Sequence, residues 1–175
     1  MLGIFALEEV MEKGGQGLIL VPSIALQEQW GEELKKFFPH KKIGGLGGGK
    51  KEDLRSCDIL VAIAASAAKR DVRPKGKPRI LIADEVHRYA GEKWRNSLNK
   101  KFERRMGLTA TFERIDGASE EILEPFFGEI VHRYGYEGAI KEKVIAPFKL
   151  AFMSVRFSSE EEEKYQQFSR EIKKA

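Results

Sequence analysis

The chain has 175 residues and a mass of 19.9 kDa, with 42% hydrophobic and 33% charged residues, the balance of one folded domain rather than of a disordered chain. Its one cysteine, Cys57, excludes an internal disulfide framework and an all-cysteine metal site. The net charge is +4 and unevenly placed: residues 1–34 carry one Lys or Arg against six Asp or Glu, while residues 35–105 carry twenty against eight. A basic zone of this kind suits a phosphate-backbone partner, and equally a solvated lysine-rich surface.

In chain order, strong helix formers fill Leu2 to Lys13, and Gly14-Gly15 ends them. Leu18 to Val21 is a short apolar run stopped by Pro22, read as a buried strand. Ser23 caps a helix through about Phe38, which Pro39 breaks. Gly44 to Gly49 holds five glycines in six positions and is expected to be a loop or tight turn. Ile59 to Ile63 and Ile80 to Ala83 read as two more buried strands, with a basic, proline-bearing loop from Lys69 to Arg79 between them. Met106 to Leu108 and Ile130 to His132 are shorter strand candidates around a helix near Glu120 to Phe126, and a last strand is expected over Phe148 to Phe157. Ser159 followed by Glu162 predicts the cap of an exposed C-terminal helix.

Continuous apolar strands alternating with amphipathic helices predict an α/β fold, a parallel sheet sandwiched by helices. Such sheets bind ligands at the carboxyl ends of their strands. The longest apolar runs are too short to span a bilayer, and the N-terminus lacks the pattern of a secretion signal, so a soluble, cytoplasmic protein with no membrane partner is expected.

Directly after the third strand comes Asp84-Glu85-Val86-His87. Two adjacent carboxylates at the end of a buried parallel strand are costly without a cation or a reaction to serve. One reading gives Asp84 a Mg²⁺ ion, held through water, and makes Glu85 a general base, with His87 sensing a γ-phosphate. The other is a strand end that runs into solvent. Gly107-Leu108-Thr109-Ala110-Thr111 again ends a strand; its threonines could hydrogen-bond the Asp84–His87 turn, or be an ordinary strand exit. Ser23 opens a helix whose first N–H groups could face a phosphate, and Leu26 and Trp30, four apart, suit the core face of that helix. Cys57 reads as a small buried hydrophobe, and His40 and His132 have no second ligand at metal spacing.

In order and spacing these pieces resemble superfamily 2 helicases. Val21-Pro22-Ser23-Ile24-Ala25-Leu26-Gln27-Glu28-Gln29-Trp30 is similar to motif Ia, Asp84-Glu85-Val86-His87 to motif II (Walker B), and Gly107 to Arg114 to motif III. The DEVH form and the trailing Phe112-Glu113-Arg114 are most similar to the XPB-like branch of DEAD/DEAH-box helicases. The resemblance implies a RecA-like, P-loop NTPase-type first motor domain over residues 1–157, with residues 158–175 an exposed helix leading toward a second RecA-like domain. It implies ATP and Mg²⁺ as cofactors and nucleic acid, DNA ahead of RNA, as partner.

Residue by residue, the resemblance makes Asp84 and Glu85 the metal-holding and water-activating carboxylates, and gives His87, Thr109 and Thr111 the coupling of hydrolysis to movement. It turns Ser23 and Gln27 toward the nucleic-acid backbone, as it does Gly48 and Gly49 in the glycine turn and Ser66 after the second strand. Arg114 falls where XPB-like proteins carry an Arg-Glu-Asp element, but here that element reads Arg114-Ile115-Asp116, and Ala64-Ala65-Ser66 lacks the threonine often found before the serine. No G-x-x-x-x-G-K-[ST] motif occurs in the chain. Without that phosphate cradle the expectation is a piece of a longer ATP-driven helicase or translocase that does not hydrolyse ATP alone. The alternatives are a non-catalytic nucleic-acid-binding module built on the same fold, or a P-loop ATPase of another kind acting on proteins.

Overall fold

A computed structural model describes residues 2–111, 119–146 and 149–174. The chain divides into two compact units, Met1–Ile130 and Val131–Ala175.

In the first unit, helix α1 (Leu2–Glu12) closes at Gly14, where φ is +71° and the N–H reaches Met11 O at 3.2 Å. Strand β1 (Gln16–Val21) follows, buried throughout, and then helix α2 (Ile24–Phe37). Ser23 caps α2 as predicted, its Oγ accepting the Leu26 N–H. Strands β2 (Ile43–Gly47) and β3 (Lys50–Lys51) form a hairpin, and strand β4 (Ile59–Ile63) runs into the short helix α3 (Ala64–Ala67). Strand β5 (Arg79–Asp84) leads to a 3-10 turn, Val86–Ala90, and helix α4 (Glu92–Arg95). Strand β6 (Arg104–Leu108) precedes a π-helical turn, Ser119–Leu123, and helix α5 (Glu124–Phe127).

The six strands lie in the order β3-β2-β4-β1-β5-β6, parallel except for β3. β1 is central, with Ile19 paired to Val61 of β4 on one side and to Ile82 of β5 on the other. Successive residues point to opposite faces, and both faces are apolar. Leu18, Leu20, Leu60, Ala62, Leu81 and Ala83 pack on one face with Val86, Tyr89 and Phe102. Ile19, Val21, Ile59, Val61, Ile80 and Ile82 pack on the other against Ile4, Leu7 and Val10 of α1 and Leu34 of α2. This is the sandwiched parallel sheet that the continuous apolar runs imply.

Three expectations of strand and loop change. The glycine-rich stretch is a strand through Gly47, and only Gly48-Gly49 turns. Glycines carry no hydrophobic pattern, so nothing in the side chains betrays the pairing of Gly44 and Gly45 with Leu60 and Val61. Ile130 to His132 forms no strand; Val131 is 96% exposed and has no sheet partner among the described residues. No strand forms over residues 149–157 either, where Phe152, Met153 and Val155 are all exposed. Phe148 lies outside the described residues.

The second unit holds helix α6 (Tyr136–Lys141) and helix α7 (Ser159–Lys174). The capping box of α7 sits one residue earlier than expected: Ser158 N–H and Oγ both bond Glu161 Oε2 at 2.8 Å. Among the described residues no helix is long and apolar enough to cross a membrane.

Candidate functional site

The parallel strands end along one edge of the sheet, at Val21, Gly47, Ile63, Asp84 and Leu108. Register makes this local, since Asp84 of β5 stands beside Leu108 of β6. Asp84, Glu85, His87, Thr109 and Thr111 form one group at or near this edge, and Ser23, Gln27, Gly48, Gly49 and Ser66 a second.

The first group is the turn after β5. Asp84 is half-buried; its Oδ1 accepts the Glu85 N–H at 3.1 Å and its Oδ2 accepts the Trp30 indole N–H at 2.8 Å. Glu85 adopts φ +53° and ψ +50°. A left-handed conformation costs a non-glycine residue about 1–2 kcal/mol, and such strain gathers at functional turns. Here it swings the chain from the strand into the 3-10 turn, with the Glu85 carboxylate 41% exposed. His87 Nδ1 lies 2.8 Å from Thr109 Oγ1 and 3.5 Å from Glu85 Oε2. Thr109 Oγ1 also accepts the Thr111 N–H at 3.0 Å. The expected tie between the threonine segment and the Asp84–His87 turn is therefore present at Thr109, to which Thr111 bonds through its backbone N–H.

The second group surrounds the β2–β3 hairpin. Gly48 and Gly49 are exposed, with φ of +59° and +86°, as a two-residue type I′ turn requires. Ser23 is exposed at the start of α2, and Ser66 lies against the hairpin: a Cβ on Gly47 would come within 2.6 Å of its Oγ. Gln27 is 1% exposed. Its Nε2 donates to Leu46 O at 3.1 Å and Val61 O at 2.8 Å, fastening α2 to β2 and β4, and its Oε1 has no partner among the described residues. Gln27 thus supports the hairpin from beneath instead of presenting its amide at the surface. Arg114 lies outside the described residues.

Sequence reasoning placed Trp30 on the core face of α2 and missed its polar contact. The ring packs where Gly3 leaves room for it; a Cβ on Gly3 would meet its Cη2 at 2.9 Å. A tryptophan four residues from a core leucine signals packing, and only the fold shows that its N–H reaches a carboxylate. The same helix therefore bears on both groups, through Ser23 and Gln27 at the hairpin and through Trp30 at Asp84.

Among the described residues no cluster of three or more His, Cys, Asp or Glu could enclose a metal ion. The donor set at Asp84 and Glu85 nevertheless fits Mg²⁺. That ion prefers one or two carboxylates, with waters and substrate phosphates completing its shell, over a protein cage. Asp84 offers a fixed carboxylate with lone pairs left over, beside a second carboxylate. Cys57 takes no part: it is buried, and desolvation pushes its thiol up to about 11.

The family model described as "Type III restriction enzyme, res subunit" matches residues 1–114. The chain is 34% identical over 158 residues to a DNA 3'-5' translocase XPB2 of Sulfurisphaera tokodaii, covering 89% of this chain and 34% of that protein. It is 36% identical over 113 residues to a putative DNA 3'-5' helicase Rad25 of Haloarcula marismortui, covering 63% of this chain and 18% of the relative. The chain thus spans about a third or less of the length of these relatives. In fold it is similar to the Hef helicase domain of Pyrococcus furiosus, with a TM-score of 0.53 at 19% identity, over 71% of this chain and 30% of that one.

Proposed function

Because the chain belongs to the type III restriction enzyme res subunit family, among XPB-like superfamily 2 helicase domains, we propose that it supplies the water-activating side of an ATP site in the first motor domain of a DNA translocase or helicase. The observation that carries this reading is the strained Asp84–His87 turn at the carboxyl end of β5, with Asp84 fixed by Trp30 and His87 joined to Thr109. A carboxylate held rigidly beside a second, more exposed one suits phosphoryl transfer, where catalysis is mostly positioning and charge.

Asp84 would hold Mg²⁺ through water, and when bound the ion would neutralise the charge that builds on the phosphates. Glu85 would accept the proton of the attacking water. His87 would sense the γ-phosphate and pass its presence to β6 through Thr109, with Thr111 at the exit of the same strand. Ser23, Gly48, Gly49 and Ser66 would face the sugar–phosphate backbone, with Gln27 holding that surface in place. Arg114 would act where the strands part. The phosphate-cradling loop and a second RecA-like domain would come from sequence beyond these 175 residues. DNA is the favoured track, on the strength of what the archaeal relatives are named for.

The test is hydrolysis of ATP, with and without DNA, by the protein encoded by the continuous reading frame around Met1. A G-x-x-x-x-G-K-[ST] motif is expected just upstream. Glu85→Gln should lower DNA-stimulated kcat about 100-fold or more while leaving DNA binding unchanged. A frame without that motif, or a Glu85→Gln protein that still hydrolyses ATP at the wild-type rate, overturns the reading.

A further inference from the structure

We propose that the phosphate-backbone contact at the glycine hairpin extends beyond it, away from the strand ends that bear the candidate ATP site: a polynucleotide lies along Lys50, Lys51, Arg70, Lys69 and Lys100. The inference rests on the nucleic-acid reading above and adds a track to it.

The surface is a cleft of about 430 Å³ between the segment that follows α3 and the segment that precedes β6. Its walls are bound together by Asn99, whose Nδ2 donates to Val72 O at 2.7 Å, while its Oδ1 accepts the Lys101 N–H at 2.9 Å within the same wall. Lys69, Arg70, Lys100 and Lys101 line it and are exposed, against a single acid, Asp71. That acid is already engaged by Arg73 and Lys101, each at 2.6 Å, and these cations hold its carboxyl below the usual range. Lys69, Arg70 and Lys100 therefore make a positive surplus that Asp71 does not offset.

The cleft is continuous with the glycine hairpin. Arg70 Nη1 donates to Lys51 O at 3.4 Å, so one of its five N–H donors anchors it beside β3, where Lys50 and Lys51 are both exposed. Exposed cations therefore occupy both the hairpin, at Lys50 and Lys51, and the adjoining cleft, at Lys69, Arg70 and Lys100. An extended strip of cations matches the repeated charges of a polyanion, whose counterions are released as its phosphates are neutralised. Five of the twenty basic residues of 35–105 thus serve one surface.

Binding of a fluorescently labelled DNA duplex to the 175-residue chain, followed by anisotropy over a series of salt concentrations, tests this. If Lys69 and Lys100 each neutralise one phosphate, the double variant Lys69→Gln/Lys100→Gln should make the slope of log K against log salt shallower by about 1.8. Asp71→Asn, which releases Arg73 and Lys101, should tighten binding and steepen the slope, a gain that misfolding does not mimic. Lys13→Gln/Lys36→Gln, which removes ion-paired lysines of α1 and α2, should leave the slope unchanged. Wild-type binding whose slope neither cleft variant alters overturns the strip and leaves the nucleic-acid reading standing. Absence of any duplex binding by the wild type overturns both. Inorganic pyrophosphate that competes with the duplex at equal molar concentration makes the cleft a small-anion site and overturns the polynucleotide.

Discussion

The indole N–H of Trp30 donates to Asp84 Oδ2 at 2.8 Å, joining helix α2 to the end of strand β5. Trp30→Phe keeps an aromatic ring in the space beside Gly3 and Leu108 but removes the donor. Water can reach the half-buried carboxylate, so the loss should be about 1 kcal/mol, read as a lower urea midpoint at unchanged m-value. Trp30→Ala also empties the ring site and should cost about 3 kcal/mol. If both variants unfold at the wild-type midpoint, the contact does not fasten α2 to the sheet.

A second tie spans β5 and β6, where His87 Nδ1 meets Thr109 Oγ1 at 2.8 Å and the same oxygen accepts the Thr111 N–H at 3.0 Å. Thr109→Val is nearly isosteric but loses both bonds, and should destabilise the chain by about 1–2 kcal/mol. Thr109→Ser keeps the hydroxyl and should recover most of that. Amide exchange gives a local reading: the Thr111 N–H should lose protection in Thr109→Val and keep it in Thr109→Ser.

The sequence reveals the sheet where side chains carry a pattern. Leu18 to Val21, Ile59 to Ile63 and Ile80 to Ala83 are continuous apolar runs because both faces of a parallel sheet are covered, and all three are strands. The pattern fails for Gly44 and Gly45, which pair through backbone alone, and misleads at Val131 and Phe152, where apolar residues lie exposed. The Asp84–His87 turn was legible because carboxylates at a strand end are costly enough to stand out. Gln27 and Trp30 were not legible in the same way. Spacing puts both on α2, but whether an amide is buried under carbonyls or an indole reaches a carboxylate depends on how the helix crosses the sheet.

Cys57 gives stability a dependence on alkaline pH. Its thiol is 6% exposed and donates to Asp53 O at 3.2 Å. Burial, with smaller help from Glu52, Asp53 and Asp58, raises it from an ordinary 9.0 to about 11. The unfolded chain therefore gives up this proton first. The stability it contributes is complete below pH 9, falls as the pH rises, and is gone above about pH 11. Cys57→Ala should lack this component, so the difference between the two proteins in urea midpoint should narrow or reverse across that window. At pH 8 the native thiol should react with iodoacetamide far more slowly than the urea-unfolded chain. Equal rates would show that Cys57 is not held as a buried neutral thiol.

The hairpin offers two glycine substitutions that share a backbone penalty and differ in crowding. Gly47 and Gly49 have φ of +93° and +86°, so alanine at either is strained by about 1–2 kcal/mol. A Cβ on Gly49 meets nothing within 4 Å, whereas one on Gly47 comes within 2.6 Å of Ser66 Oγ and 2.9 Å of Ile63 Cβ. Gly49→Ala should therefore cost only the strain and keep β2 and β3 paired. Gly47→Ala should cost visibly more, because the end of β4 or the start of α3 must shift to admit the methyl group. Ser66→Gly should relieve part of that cost by removing the hydroxymethyl group, making the two changes less than additive in a double-mutant cycle. Additive costs would mean that Ser66 does not lean on the hairpin, and that the serine and the glycine turn do not form one surface.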